Sequence, residues 1–293
     1  MVSLVASIAY LLLVESLPTI RLFGYHFLFT SQWDPNPPAI FGAWWLIIGT
    51  LITSAIALVI AIPISLGIAT FLSEEAPGWL RTPLASLVEL LAAVPSVVYG
   101  LWGEFVLCPY MYHDVNPVLA DTVGHAPVIG PWFTFEPSGG YDVLTSGVIL
   151  AIMVIPTISA ISREAMSAVP RSQREAALAI GATRWETTRT AVVPYASSGI
   201  IGAVILGLGR ALGETMAVTM TIGNAGQGLP TSLLGQGQTI ASAIANDVTA
   251  TAFPLERTAL FEAGLILLAI TFSVNVVARI LVRRTFRAGA VAG

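Results

Sequence analysis

"EAALAIGATRWETTRTAVVP" occupies Glu175–Pro194, and on both sides of it lie apolar stretches long enough to cross a bilayer. Pro170 suits a first helical position, and the residues from there to Ile180 are good helix formers, so the spacing predicts a short helix that ends at Gly181. Thr183 then offers a side-chain oxygen to cap a second short helix carrying Trp185. Two short helices meeting at a glycine make a compact knuckle, in which Ala176 and Ala177 are small enough for another protein's surface to approach closely. The other reading of the same residues is an amphipathic hairpin resting on lipid headgroups.

Outward from the knuckle the chain is overwhelmingly apolar. Of its 293 residues, 55% are apolar and only 10% charged, with a mean hydropathy of +0.81. Soluble domains carry about 25% charged residues, so this is an integral membrane protein. Segments near 2–20, 44–71, 84–108, 144–162, 196–223 and 259–282 reach the roughly 20 residues that a membrane helix needs, which predicts six spans in one all-α domain over 1–293. The second and fifth segments exceed that length and are expected to tilt, to kink at Pro63 or to project into water. Pro95 is expected to kink the third. The knuckle fills the connection 163–194, and the opposite side receives the connections 21–43, 109–143 and 224–258. The middle one is rich in Pro, Gly and aromatics and is expected to be an irregular packed loop. In the last, Thr239 suits the cap of a short helix with Ile240, Ala243 and Ile244 on one side, lying along the outer face.

The chain contains no lysine, and its thirteen strongly basic residues are all arginines. Arg81, Arg163, Arg171, Arg174, Arg184, Arg189, Arg279, Arg283, Arg284 and Arg287 share one side of the predicted membrane, against Arg21 and Arg257 on the other. The positive-inside rule therefore puts the knuckle and both termini in the cytoplasm. The first span starts almost at Met1 with no basic segment before it and reads as a retained helix, not a cleaved signal. The net charge of −4 comes mostly from carboxylates in the outward connections and gives no sign of a nucleic-acid partner. Cys108 stands alone, and His26, His113 and His125 lack the spacing of metal ligands, so no metal or bound cofactor is expected. Without lysine the phosphate-binding motif GxxxxGK[ST] cannot form, so ATP and Mg2+ would have to be handled by a separate subunit. No catalytic motif is present, and the chain reads as a transporter, not an enzyme.

"GLGRALGETMAVTM" at Gly207–Met220 places two full charges inside the fifth apolar segment. On a continuous helix, Ala203, Gly207, Arg210, Glu214, Ala217, Thr221 and Asn224 share one small, polar face. A charge at the bilayer centre costs about 2.5–3.5 kcal/mol on insertion scales, whereas an i, i+4 ion pair returns only about 0.2–0.5 kcal/mol. The face is therefore expected to border an aqueous conduit, with Gly207, Arg210, Glu214 and Thr221 as candidate path residues. The planar fork of Arg210 suits a tetrahedral oxyanion, with Glu214 orienting it. The alternative is a structural ion pair that closes a gate or joins two subunits.

The knuckle resembles the EAA loop of ABC importer permeases, with Glu175, Ala176, Ala177, Gly181 and Pro194 at that family's spacing, and Ala191 and Val193 where larger residues are usual. "GLGRALGETMAVTMTIGN", "ESLPTIRLFGYHFLFTSQWDP", "IATFLSEEAPGWLR" and "ELLAAVPSVVYGLWG" are similar to the PstC-type permease subunits of phosphate ABC importers. The resemblance implies a type I ABC importer permease, or MetI-like, fold with six membrane helices. It also implies a bacterial inner-membrane location, a second, PstA-like permease subunit and two cytoplasmic ABC ATPase subunits that bind ATP and Mg2+. An external phosphate-binding protein would deliver the substrate. A permease for molybdate or sulfate, or an ATP-independent secondary anion transporter, fits the buried charges as well.

Overall fold

A computed structural model describes residues 2–225, 228 and 230–290. Met1, Gly226, Gln227, Leu229 and 291–293 lie outside the described residues, as do those parts of the expected 1–293 domain and 224–258 connection. The side chains of Arg283, Arg284 and Arg287, counted above as cytoplasmic, lie outside them too.

The chain is helical because hydrocarbon offers no partner to backbone N–H and C=O groups, which must then bond within their own segment. In order come α1 (Val2–Phe23), α2 (His26–Phe29), a two-residue antiparallel pairing of β1 (Trp33–Asp34) with β2 (Ile40–Phe41), and α3 (Trp44–Thr70), which runs into a π-helical turn at Phe71–Glu75. Then follow α4 (Gly78–Ala93), α5 (Ser96–Trp102), α6 (Cys108–Tyr110), α7 (Asn116–Thr122) and α8 (Val143–Ser167). The remainder is α9 (Arg171–Ala179), α10 (Arg184–Thr187), α11 (Val193–Leu212), α12 (Met216–Thr221), α13 (Ile240–Asp247) and α14 (Pro254–Ala290). Five helical stretches are long and apolar enough to cross a membrane, namely Ser3–Phe23, Trp44–Glu75, Val143–Ser167, Arg184–Leu212 and Pro254–Val277. A sixth is the broken pair Gly78–Ala93 and Ser96–Thr122.

Three expectations change. The third span is divided, not merely kinked: Val94 and Pro95 leave helical geometry (ψ 130° and 140°) before the helix resumes at Ser96. A residue preceding proline is pushed toward extended backbone, which ends α4 at that point. The helix then continues well past 108 to Thr122, through π-helical turns at Gly103–Leu107 and Met111–Val115, so the first part of 109–143 is helical and not an irregular loop. Pro109 and Pro117 each stand two residues after a π-helical turn, whose wider winding makes room for a residue without an N–H. Finally, the fifth span begins at Arg184 and ends at Leu212, not at 196 and 223. A π-helical turn at Thr188–Val192 joins α10 to α11 without a break, and its wider winding makes room for Pro194.

The chain forms two compact units. The first comprises Met1–Ile56, Pro95–Leu150 and Leu212–Phe272. Its core packs Phe27, Trp33, Phe41, Trp45 and Leu46 against Ile240 and Leu260. Thr239 caps α13 as predicted, accepting from the Ser242 N–H at 3.1 Å, while the Ser242 hydroxyl accepts from the Thr239 N–H at 2.9 Å. Ile240, Ala241, Ser242 and Ala243 are all buried, so this short helix fills the core of the unit. The second unit comprises Ala57–Val94, Ala151–Ala211 and Ser273–Gly293, and its core joins Ala69 of α3, Met166 of α8, Val169, Val192, and Ala196 and Ile200 of α11.

Gly140 has a left-handed backbone (φ +84°), and a Cβ there would fall 1.9 Å from the Cys108 carbonyl oxygen. A non-glycine residue in such a conformation costs on the order of 1–3 kcal/mol before the clash is counted. Gly140→Ala is therefore expected to lower the melting temperature of the purified protein by roughly several degrees, as read by thermal unfolding in detergent.

Candidate functional site

The knuckle takes the predicted form. α9 follows Pro170, which stands at the N-cap, and Gly181 turns the chain with φ +93°. Thr183 caps α10 in a reciprocal box: its hydroxyl accepts from the Glu186 N–H at 3.3 Å, and the Glu186 carboxylate accepts from the Thr183 N–H at 2.7 Å. Glu175, Ala176 and Gly181 are exposed, Ala177 is half-buried, and nothing lies within 4 Å of where a Gly181 Cβ would be. Pro194 is also exposed but belongs to α11. Around these residues Leu178, Ile180 and Trp185 project as exposed apolar side chains, Ile180 being 88% accessible. Small and apolar groups left uncovered on a polar connection form a surface suited to another protein.

What fixes the knuckle to the membrane helices escaped the sequence reading. Arg174, on α9, forks onto the Glu74 carboxylate (Nε to Oε2 3.1 Å, Nη2 to Oε1 2.8 Å) in the π-helical turn that ends α3. The same guanidinium donates to the Met166 carbonyl at 2.8 Å and to the Val169 carbonyl, at the end of α8. Its five donors in a rigid plane permit this four-bond arrangement, which a lysine could not reproduce. Both partners are largely shielded, with 21% and 13% of their side chains accessible, unlike the more open Arg163–Glu89 pair (2.9 Å; 27% and 60%). Bonds to charged groups are worth about 1.5–3 kcal/mol each, so α9 is held rigidly to α3 and α8. The apolar contacts of Met166 and Val169 with Val192 and Ala196 bring α11 into the same cluster.

The predicted path residues are not assembled as one face. α11 ends at Leu212, and the segment 213–215 is non-helical before α12 begins at Met216, so Arg210 and Glu214 do not have the i, i+4 relation of a continuous helix. Gly213 is a poor helix former and sits at the break. Among the described residues the ion pairs are Arg163–Glu89 and Arg174–Glu74; Arg210–Glu214 is not one.

In the second unit, Arg210 is half-buried and its Nη1 donates to Thr157 Oγ1 of α8 at 3.4 Å. Gly207 lets α11 close onto α8: a Cβ there would come within 2.7 Å of Ile158 and 2.8 Å of Val154. In the first unit, Glu214 accepts from the Ala217 N–H at 3.4 Å, a carboxylate at a helix N-terminus where the backbone dipole favours negative charge. Thr221 is fully buried and bonded to Ser146 of α8 at 2.9 Å, so here it joins helices instead of lining a conduit. Among the described residues, Arg210 is left as a basic group in an apolar span with one long hydroxyl contact.

Comparison with known proteins places this geometry. Residues 61–287 match the family model described as the binding-protein-dependent transport system inner membrane component. The chain is 46% identical over 281 residues to the phosphate transport system permease protein PstC of Haemophilus influenzae, covering 96% of this chain and 88% of the relative. It is 47% identical over 268 residues to the protein of the same name from Xylella fastidiosa, covering 92% and 82%. Among solved structures, inward-facing conformations of the MetNI methionine ABC transporter match with a TM-score of 0.57 at 18% identity, covering 85% of this chain and 99% of that one. A bacterial ABC transporter involved in the import of the acidic polysaccharide alginate matches with a TM-score of 0.56 at 18% identity, covering 94% and 96%. These two likenesses carry fold alone, and they bear out the MetI-like, type I ABC importer permease architecture. With most of its length matched by the family model and nearly all of it by curated relatives, the chain belongs to the family of binding-protein-dependent transport system inner membrane components.

Proposed function

We propose that the chain is the permease subunit of an ATP-driven importer of inorganic phosphate, forming half of the translocation path beside a related, PstA-like permease subunit. The observation that carries the substrate is the similarity over nearly the whole chain to permeases named for phosphate transport. A half-buried guanidinium in an apolar span agrees with a path for an anion. Two cytoplasmic ATPase subunits supply the energy, since a chain without lysine lacks the P-loop that would hold nucleotide and Mg2+. The exposed knuckle of Glu175, Ala176, Ala177 and Gly181 is the surface they grip. An external receptor presents phosphate on the opposite side, and both termini lie in the cytoplasm of a bacterial cell.

In this reading nothing covalent happens on the chain. Closure of the ATPase subunits moves α9, and the Arg174 clamp transmits the movement to the ends of α3 and α8 because it cannot stretch without losing several bonds at once. The spans then expose Arg210 alternately to the two sides, a rigid-body form of switching. Arg210 acts by charge and donor geometry alone, offering an oxyanion replacement for part of its hydration shell.

Two substitutions test the scheme in the reconstituted complex. Arg210→Gln, with expression unchanged, is expected to lower phosphate uptake about tenfold or more, in keeping with the ~1.5–3 kcal/mol of one charge-assisted bond; normal uptake removes Arg210 from the path. Competition of the wild-type uptake by molybdate or sulfate separates phosphate from the other oxyanions. Arg174→Ala is expected to leave ATP hydrolysis running while the phosphate moved per ATP falls about tenfold, the loss of roughly one such bond in the coupling. An unchanged ratio shows that the clamp transmits nothing.

A further inference from the structure

On the outward side of the first unit, a cavity of about 270 Å3 opens between the start of α3, the strand β1, the end of α13 and the start of α14. Trp33, Trp45, Asn224, Gln238, Asp247 and Glu256 line it. Its two carboxylates are unequally served. Glu256, in the first turn of α14, accepts from Trp33 Nε1 at 2.9 Å and from the Thr251 hydroxyl. Asp247, the last residue of α13, receives only a long bond from Gln238 Nε2, at 3.5 Å, among the described residues. Burial, and then the negative charge of Glu256, push the Asp247 carboxyl above its ordinary range.

Two further groups are unmet. Trp45 is 2% exposed, and its Nε1–H has no partner among the described residues. Asn224, on left-handed backbone (φ 50°), spends its amide nitrogen on the Thr219 carbonyl at 2.6 Å, while its buried Oδ1 has no partner among the described residues. Buried polar groups are seldom left so, and each unmet one costs about 1–3 kcal/mol. The vacant functions are specific: a carboxylate and an amide oxygen that call for N–H donors beside a positive charge, and an indole N–H that calls for an acceptor.

An anion is repelled by this lining, so the cavity is no stop for phosphate. A single bare cation leaves most of the space unfilled, a water molecule's share being about 30 Å3. A basic side chain fits all of these demands, because an ammonium or guanidinium carries several donors and no acceptor, and its own main-chain carbonyl can face the indole. The outward connections hold Asp34, Asp114, Asp121, Glu136, Asp247 and Glu256 against Arg21 and Arg257, Asp142 being buried, so a partner with a basic contact surface is attracted to this side.

We infer that this cavity is the socket into which the external phosphate-loaded receptor inserts a lysine or arginine side chain, held by Asp247 and Glu256, when it docks on the permease. The inference rests on the function proposed above, and names the chemistry by which the receptor is recognised.

The test uses the whole complex in nanodiscs and measures receptor affinity at low and high salt for the wild type, Asp247→Asn and Asp247→Glu. Asp247→Asn is expected to weaken receptor binding about tenfold and to flatten its salt dependence, while Asp247→Glu keeps both near wild type. The Asn variant should fold, because it removes a like-charge repulsion with Glu256, and an unchanged or raised melting temperature checks this. Equal affinity and equal salt dependence for wild type and Asp247→Asn overturn the socket. So does a Ca2+ or Mg2+ binding isotherm that Asp247→Asn abolishes without altering receptor affinity, which marks an inorganic cation site. Absence of any receptor binding to the wild-type complex overturns the proposed function itself, and the socket with it.

Discussion

Hydrocarbon supplies no partner to a backbone N–H, and none to a guanidinium, and both consequences shape this chain. The first turns nearly every apolar segment into continuous helix, since only there do backbone groups bond within their own stretch. The second allows a charge inside a span only where other polar groups or water reach it. Arg210, Glu214 and the short non-helical segment at 213–215 therefore belong together: the helix ends where its carboxylate can turn to the start of α12, and the guanidinium stays at the end of α11 beside Thr157. Free backbone at such a break is tolerated where protein or water covers it, which is the setting a translocation path provides.

At the connection 163–194 the same chemistry holds a surface segment to the helix ends. One arginine replaces what several weak contacts would otherwise have to do, because its plane reaches the Glu74 carboxylate and the final carbonyls of α8 at once. An exposed ion pair such as Arg163–Glu89 yields little, being screened and loosely held. The shielded Arg174 cluster sits over the apolar contacts of Met166, Val169, Val192 and Ala196. The knuckle, the clamp and the helix ends are thus joined by both polar and apolar contacts, with Leu178, Ile180 and Trp185 left uncovered.

Features written in consecutive residues were legible in the sequence: the turn at Gly181, the caps at Thr183 and Thr239, and the spans as apolar runs. These depend on local backbone conformation and on local side-chain to backbone bonds. Less was visible wherever a local rule was overridden. Pro95 signalled a disturbance but not a complete division of the third span, and the helical continuation to Thr122 was hidden because Pro109 and Pro117 read as loop residues unless the π-helical turns before them are foreseen. The polar face of Arg210, Glu214 and Thr221 assumed a helix that Gly213 ends, and Thr221 proved to be a packing residue. The Arg174–Glu74 clamp joins positions 100 apart in the chain, and the outward cavity draws on five separated segments; no periodicity reports such meetings.

The central claim is that the position of Arg210 borders a watery route whose access alternates. It is tested most directly by Arg210→Cys in the assembled transporter with the native Cys108 replaced by serine, Cys108 being a buried thiol. Charged, membrane-impermeant thiol reagents are applied from each side, with and without trapped nucleotide. The predicted result is modification from one side in one nucleotide state and from the other side in the other. A thiol that resists the charged reagents from both sides in every state contradicts the claim.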